Sequence, residues 1–180
     1  MRKVIFLLSF SFNFLIGCNQ EEANLNNVFF DVTSFTEKQI EMLEKSNPQV
    51  SKKTRINEEK EDFTSSDIDW SKELELLKQT DINKAAFQLS YIEEKTPSSI
   101  LYRLKEGEKL PVTSLEIYKD SMGKVEKITS HISTDNYLYK SEKDIHLTFK
   151  NEQLQTYGIS GWQELFIGSK KEFEIEGTVL

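Results

Sequence analysis

Few side chains in this sequence could act as a nucleophile or as a base. A serine or cysteine hydrolase needs a nucleophile, a histidine within hydrogen-bond reach and an acid that orients the histidine. The chain has one cysteine, Cys18, and two histidines, His131 and His146. The segment GISG at residues 158–161 has the wrong glycine spacing for a G-x-S-x-G nucleophile motif. We therefore predict no hydrolase site.

The two histidines are also the candidate metal ligands. In each predicted strand, isoleucine and leucine fill the alternate positions, so both histidines face the polar side of the sheet. We place the turn between these strands at Asp135 and Asn136. His131 then lies opposite Lys140, and His146 lies about 20 Å away from it. We therefore predict two solvent-facing histidines, no metal site and no cofactor.

Paired carboxylates raise the question of glycosidase chemistry, which needs two carboxyl groups about 5 to 10 Å apart across a cleft. The neighbouring acids are Asp67 with Asp69, Glu58 with Glu59, and Glu93 with Glu94. The aspartates are explained as acids at a helix start, and the glutamates as solvated side chains. We therefore predict that the protein is not an enzyme.

The most apolar and aromatic part of the chain after its N-terminal region is YGISGWQELFIG, residues 157–168. One interpretation makes Trp162, Phe166 and Ile167 a patch that faces a ligand or a partner. The other makes them core residues at the end of a strand, which is the commoner role of such side chains. The pattern favours the second interpretation and leaves the first open.

Cys18 follows a segment with the layout of a secretory signal peptide. Arg2 and Lys3 precede thirteen uncharged residues, VIFLLSFSFNFLI, and Gly17 follows them. A membrane-spanning helix needs about 20 apolar residues, so this run is too short to cross a bilayer. The alternative is a buried N-terminal helix, which would place two cations and then four phenylalanines at the chain terminus.

The sequence Leu15-Ile16-Gly17-Cys18 resembles the lipobox of bacterial lipoproteins. The resemblance implies that residues 1–17 are a signal peptide, cleaved between Gly17 and Cys18. It further implies that Cys18 carries a diacylglycerol group and usually an acylated amino group. Each buried CH₂ contributes about 0.8 kcal/mol, so two or three acyl chains anchor a protein stably in a membrane.

Residues 18–27 are interpreted as the lipidated cysteine and a flexible polar tether. In lipoproteins of enteric bacteria, an aspartate after the cysteine favours retention in the inner membrane. Asn19 stands there instead, so the resemblance favours the outer membrane. Glu21 and Glu22 resemble the surface-export signals of some Bacteroidota lipoproteins, or they only solvate the tether. The side of the membrane therefore stays open, periplasmic or surface-exposed.

Net charge bears on one class of partner. The chain has 23 Lys and Arg against 30 Asp and Glu, a formal charge of −7, and removal of residues 1–17 deletes two cations and no acid, giving −9. Nucleic-acid binding needs a basic face that neutralises phosphates, so we predict no nucleic-acid partner.

Two amphipathic helices are predicted after the tether. In the first, Ser34 and Glu37 fit a capping box, and Asn47 before a proline ends the helix. Its apolar stripe consists of Phe35, Ile40 and Leu43.

The second predicted helix has Asp69 as its N-cap and an apolar stripe formed by Trp70, Leu74 and Leu77. Between the two helices, residues 50–64 alternate only weakly and are highly charged. We interpret them as a marginal hairpin or a mobile loop.

Short alternating segments separated by turn residues predict an antiparallel meander downstream. The predicted strands are residues 88–94, 99–105, 113–119, 124–133, 137–150, 153–159 and 172–179. Helices that precede all of the strands indicate an α+β fold, with amphipathic helices packed on a sheet of about six or seven strands. Residues 28–180 are predicted to form a single domain.

The segments DINKAAF, LKEGEKLPV and KKEFEIEG resemble those of an uncharacterised Bacteroidota lipoprotein family, which implies no particular activity. We expect a binding or assembly module at the cell envelope, with an unknown envelope protein as partner. The alternative is a carrier that holds a lipid or another apolar ligand in the concave face of the sheet.

Overall fold

The computed structural model describes residues 27–180, which form one antiparallel sheet with helices on one of its faces. Cys18, the predicted cleavage position and most of the predicted tether lie outside the described residues. The helices are α1 (Val32–Ser46), α2 (Trp70–Glu73), α3 (Glu75–Lys78) and a 3₁₀ turn (Ala85–Phe87). The strands are β1 (Val50–Ile56), β2 (Glu59–Ser65), β3 (Tyr91–Lys95), β4 (Ser99–Leu104), β5 (Val112–Lys119), β6 (Val125–Asp135), β7 (Tyr139–Lys150), β8 (Gln153–Leu165) and β9 (Lys171–Val179).

The sheet follows the order β2-β1-β9-β8-β7-β6-β5-β4-β3. Strands β3 to β9 form the predicted meander, so the antiparallel α+β arrangement is confirmed. The strand number is nine rather than six or seven, because residues 50–64 form the β1–β2 hairpin and not a loop. Strand β9 stabilises this charged hairpin, because it pairs with the whole of β1, from Val50↔Val179 to Ile56↔Phe173.

Strand β8 is six residues longer than the predicted 153–159. Gly158 and Gly161 both lie within the β7–β8 pairing. A Cβ atom on Gly161 would lie 2.0 Å from the carbonyl oxygen of Glu142 on β7, so the residue is a site of close strand approach. Strand β3 is shorter at its start than predicted, since residues 88–90 precede it.

Helix α1 begins two residues before the predicted cap. Asp31 is the N-cap, and its carboxylate accepts hydrogen bonds from the Ser34 N–H at 2.9 Å and the Ser34 hydroxyl at 2.8 Å. The predicted capping box of Ser34 and Glu37 is therefore wrong. Asn47 ends the helix, as predicted. It adopts the left-handed conformation, with φ of 42°.

The second predicted helix is present in two short pieces. Asp69 caps it as predicted, accepting a hydrogen bond from the Lys72 N–H at 3.1 Å. Leu74 separates α2 from α3, so the helix is not continuous. Its predicted apolar stripe is confirmed, since Trp70, Leu74 and Leu77 are all at most 2% exposed.

The helices and the core lie on one face of the sheet, here called the inner face. Buried side chains of the central strands fill this face, among them Leu115, Ile117, Ile128 and Leu147. Phe35 on α1 contacts Phe149 edge to face at 5.1 Å, and Trp70 on α2 contacts Tyr157 at 6.1 Å. The opposite, outer face carries mostly polar side chains.

A single buried glutamine joins α1 to the β7–β8 turn. Asn151 and Glu152 in this turn have φ values of 53° and 63°, as a type I′ hairpin requires. Gln39, 1% exposed, donates to the Glu152 carbonyl oxygen at 2.8 Å and accepts from the Leu154 N–H at 3.2 Å. Strand β9 pairs with β8 only from Thr156 onward. Gln39 of α1, and not β9, therefore supplies the hydrogen bonds at Glu152 and Leu154.

Candidate functional site

The predicted patch residues do not lie in the core. Phe166 is 79% exposed and Ile167 is 83% exposed, both in the loop after β8. The favoured interpretation as core residues at a strand end is therefore wrong for these two. Trp162 is half-buried within β8, at a position whose side chain faces outward.

Trp162 has polar partners on the outer face of the sheet. Its indole N–H donates to the Glu142 carboxylate at 3.3 Å on the outer face. The Lys170 ammonium lies 4.6 Å from the centre of its ring. These contacts explain why Trp162 is half-buried on the outer face. The exposed apolar patch is therefore defined without it.

Five large apolar side chains meet where two neighbouring hairpin ends come together. We call them the tip surface; they are Tyr137, Leu138, Leu165, Phe166 and Ile167, each between 51% and 83% exposed. A hydrogen bond of 2.8 Å from the Phe166 N–H to the Leu138 carbonyl joins the two loops. Contiguous exposed apolar patches of this kind mark sites of interaction more often than isolated side chains do.

An apolar groove continues from the tip surface along the inner face. It has a volume of about 570 Å³ and is lined by Ile56, Leu165, Ile167, Phe173 and Ile175, together with polar residues at its rim. No residue of the described helices lines it. The groove is therefore bare sheet surface beyond the end of the helical layer.

A second, smaller pocket lies under α2 and α3. It has a volume of about 190 Å³ and shares Ile175 with the groove. Most of its walls are leucine and isoleucine side chains, but Lys52 and Glu73 form an ion pair there. The Lys52 ammonium lies 2.6 and 2.9 Å from the two carboxylate oxygens of Glu73, with both side chains less than 20% exposed.

Tyr157 is the unusual member of this pocket. The residue is only 6% exposed, and its hydroxyl makes no close, well-directed hydrogen bond with the residues that the structure describes. The Glu73 carboxylate is nonetheless near enough to act on it by charge. Burial, then the negative charge of Glu73, and then a hydrogen bond toward the Glu73 carboxylate raise the pKa of Tyr157 well above that of an ordinary tyrosine. The hydroxyl is thus protonated at neutral pH, and its nearby acceptor is Glu73.

The position of the Tyr157 ring depends on a glycine of the next strand. Tyr157 pairs with Gly177 of β9, and Gly177 pairs with Lys52 of β1, so the three lie in one row on the inner face. A Cβ atom on Gly177 would lie 2.1 Å from the tyrosine ring. Sequence reasoning missed this site, because the pairing of these three residues depends on strand register that the sequence did not define.

The two histidines face outward as predicted, but their predicted pairing is wrong. His131 lies opposite Asp144, not Lys140, and its Nδ1 atom is 2.8 Å from the Asp144 carboxylate. Lys140 pairs with Asp135 instead, because the turn is longer than assumed.

The predicted separation of the histidines is also wrong. His146 is opposite Thr129, so it is a diagonal neighbour of His131, about 7–8 Å away rather than 20 Å. Its ring lies across Gly158 of β8. Among residues 27–180, no three His, Cys, Asp or Glu side chains are grouped so that they could hold a metal ion.

Three acids of the predicted pairs, Asp69, Glu93 and Glu94, have partners in the structure. Asp69 caps α2 and pairs with Lys72 at 2.6 Å. Glu93 pairs with Lys95, and Glu94 with Arg103 at 3.4 Å. These contacts agree with the structural interpretation of the acids.

None of the helices within the described part of the chain is long and apolar enough to span a bilayer. Comparison of the sequence and structure with protein-family models, curated proteins and solved structures finds no match. The functional argument therefore rests on the tip surface and the groove.

Proposed function

We propose that the protein is a lipid-anchored binding module of the cell envelope, attached to the outer membrane through Cys18. Its tip surface docks on an envelope protein. The single observation that carries this proposal is the gathering of five large apolar side chains, 51–83% exposed, at two adjacent hairpin ends. Catalysis and nucleic-acid binding form no part of it, given the residue types and the acidic charge.

A protein partner suits the chemistry of this surface. Aromatic and large aliphatic side chains are enriched at the centres of protein interfaces, where they fill apolar pockets of the partner. Tyr137, Phe166 and Ile167 are the most exposed of the five, at 79–83%. The groove beside Ile167 has room for a side chain or a short apolar segment of that partner. Charged residues such as Lys140 and Glu164 border the patch and would form the polar rim of an interface.

The anchor is tested by the mass of the mature N-terminus. Intact mass spectrometry of protein purified from membranes is expected to show a chain that starts at Cys18 and carries two or three acyl groups. A Cys18→Ala variant is expected to remain unacylated and to leave the membrane fraction. Unmodified protein that starts at Met1 would contradict the anchor.

The tip surface is tested by crosslinking in intact cells. A photo-crosslinking residue at Glu164, beside the patch, is expected to give one protein adduct of defined mass. The double substitution Phe166→Ser with Ile167→Ser is expected to reduce that adduct about tenfold or more, because it removes two anchors of the interface.

The matched control for this experiment is Leu89→Ser, since Leu89 is 84% exposed but lies before β3, away from the patch. The control is expected to leave the adduct unchanged. An adduct that survives the double substitution would exclude the tip surface as the interface. Adducts with lipid alone would count for a membrane contact and against a protein partner.

A lipid carrier is the second candidate, and the continuity of the groove with the inner face favours it. Under α1 the inner face is filled by its own side chains, so an acyl chain would have to lie in the groove of about 570 Å³. Mass spectrometry of an organic extract of the purified protein tests this function. A stoichiometric lipid that the Cys18 anchor does not explain would support it, and an extract without one would count against it.

A further inference from the structure

We propose that the groove holds one acyl chain of the Cys18 anchor while the protein is away from a membrane. The proposal rests on the lipid anchor proposed above and adds a role for the groove, which is to keep that acyl chain out of water. It does not depend on the tip surface or on the protein that docks there.

The described chain begins at a fixed point of the inner face, near the β3 edge of the sheet. Phe29 is buried, and its ring contacts those of Tyr91 and Tyr102 edge to face, with ring centres 5.8 and 5.2 Å away. The Phe30 N–H donates to the Tyr102 hydroxyl at 3.1 Å. The chain therefore enters the fold over strand β4, close to Tyr102.

The groove lies at the same level of the sheet as this entry point. Strand pairing places Tyr102 and Ile175, which lines the groove, in one cross-strand row on the inner face. The row consists of Tyr102, Leu115, Ser130, Ile145, Ile159 and Ile175. Strands β4 and β9 are five positions apart in the sheet, and neighbouring strands are about 4.8 Å apart, so the two ends of the row are about 24 Å apart.

The segment before the entry point is long enough to span this distance. Cys18 and Asn27, the first described residue, are nine positions apart, and nine extended residues reach about 30 Å. An acyl chain on Cys18 adds its own length to that reach. A short tether holds its end at an effective concentration of about millimolar, which favours the protein's own acyl chain over free lipid.

The chemistry of the groove matches a hydrocarbon chain. Its apolar lining is formed by Ile56, Leu165, Ile167, Phe173 and Ile175. The charged residues that line it, Lys171 and Glu172, are exposed. An acyl chain needs no hydrogen bond from its site, whereas a polar ligand needs polar groups that fix its orientation. The lining therefore suits an acyl chain better than a polar ligand.

The volume of the groove suits one acyl chain. Apolar cavities of about 150 Å³ accept benzene, which has six carbon atoms. At that ratio, the groove of about 570 Å³ has room for about twenty carbon atoms, on the order of one membrane acyl chain. The groove therefore holds one of the two or three acyl chains of the anchor.

The surroundings of the protein decide when the groove is occupied. A bilayer and an apolar groove both remove an acyl chain from water, so neither has a large advantage in hydrophobic free energy. At a membrane, the other acyl chains insert and bring this one with them. In water, the groove removes the chain from solvent. The groove is thus occupied during transfer between membranes and is free for a docking partner afterwards.

Photo-crosslinking within the mature, acylated protein tests the proposal. A photo-crosslinking residue replaces Gln163, which lines the groove and is exposed. After its acylation is confirmed by mass, the protein is irradiated at nanomolar concentration without detergent, and again after reconstitution into phosphatidylcholine vesicles. Proteolysis and mass spectrometry then identify the crosslinked peptides.

Without a membrane, the crosslink is expected to join position 163 to the acylated peptide that begins at Cys18, within one molecule. In vesicles, the yield is expected to fall about tenfold, because the acyl chain moves into the bilayer. Ile56→Asp places a carboxylate in the groove and is expected to reduce the yield without a membrane by about tenfold as well.

The matched control is Ile92→Asp. Ile92 is 48% exposed and Ile56 is 47% exposed, but Ile92 lies on β3, at the far edge of the sheet. The control is expected to leave the yield unchanged. The comparison between water and vesicles uses the parent groove, so it does not depend on the folding of either variant.

Acylated protein that gives no crosslink to the Cys18 peptide would overturn this proposal and leave the anchor standing. So would crosslinks to a second copy of the chain or to a co-purified lipid in place of that peptide. Equal yields in water and in vesicles, or a yield that Ile56→Asp does not lower, would also overturn it. A protein without acyl groups would overturn the anchor and this proposal together.

Discussion

Replacing Gly177 with alanine is expected to lower the free energy of unfolding by about 2–3 kcal/mol, at the upper end of the range for overpacking a core. The new methyl group would lie 2.1 Å from the Tyr157 ring. The ring cannot move aside easily, because it is buried and Trp70 lies against it. Urea denaturation of the variant and the parent measures the difference.

The neighbouring Thr178→Ala is the control, since Thr178 is an exposed position of the same strand. It is expected to change stability by less than about 0.5 kcal/mol. The cause is tested with a double-mutant cycle: in a Tyr157→Ala background, the cost of Gly177→Ala is expected to fall close to zero. An undiminished cost in that background would show that the ring is not the source of the strain.

Replacing Gln39 with leucine is expected to lower the free energy of unfolding by about 2–3 kcal/mol, although leucine is the more apolar residue and nearly the same size. The reason lies in the β7–β8 turn. The Leu154 N–H and the Glu152 carbonyl would both lose their partner, and each buried unpaired group costs about 1–3 kcal/mol. Water at the partly exposed Glu152 limits the second contribution.

The control for this substitution is Glu41→Leu, on the exposed side of the same helix. It is expected to change stability by less than about 0.5 kcal/mol. Hydrogen exchange gives a second measurement, since the Leu154 amide is expected to exchange faster in Gln39→Leu than in the parent. Equal stability and equal exchange in the two proteins would mean that the glutamine does not hold the turn.

Local signals in the sequence predicted the local parts of the fold. Asp69 followed by Trp70 marked a helix start, because a carboxylate cap and a buried aromatic residue act within one turn. The turns that join β3 to β6, and the turn between β7 and β8, were found from their turn residues in the same way. Neither signal depends on residues far away in the chain.

Features that depend on distant pairing were missed or misplaced. The charged segment 50–64 becomes a hairpin because β9, more than a hundred residues later, pairs with it. The row of Tyr157, Gly177 and Lys52 forms for the same reason, so the pocket had no signature in any short segment.

The tip surface was predicted only in part, and the reason for this is different. Phe166 and Ile167 were recognised as apolar, but apolar residues are buried more often than they are exposed, and this general tendency gave the wrong location. Only the end point of β8 at Leu165 decides that these side chains lie beyond the sheet.

The position of β9 between β8 and β1 also sets the order in which the molecule can assemble. The contact between Val50 and Val179 closes a loop of nearly the whole described chain, and such non-local pairings slow folding. An isolated two-stranded hairpin is at best marginally stable in water. The β1–β2 hairpin, and Lys52 with it, therefore joins the sheet only once β9 is in place, and the Tyr157 pocket is completed by the same pairing.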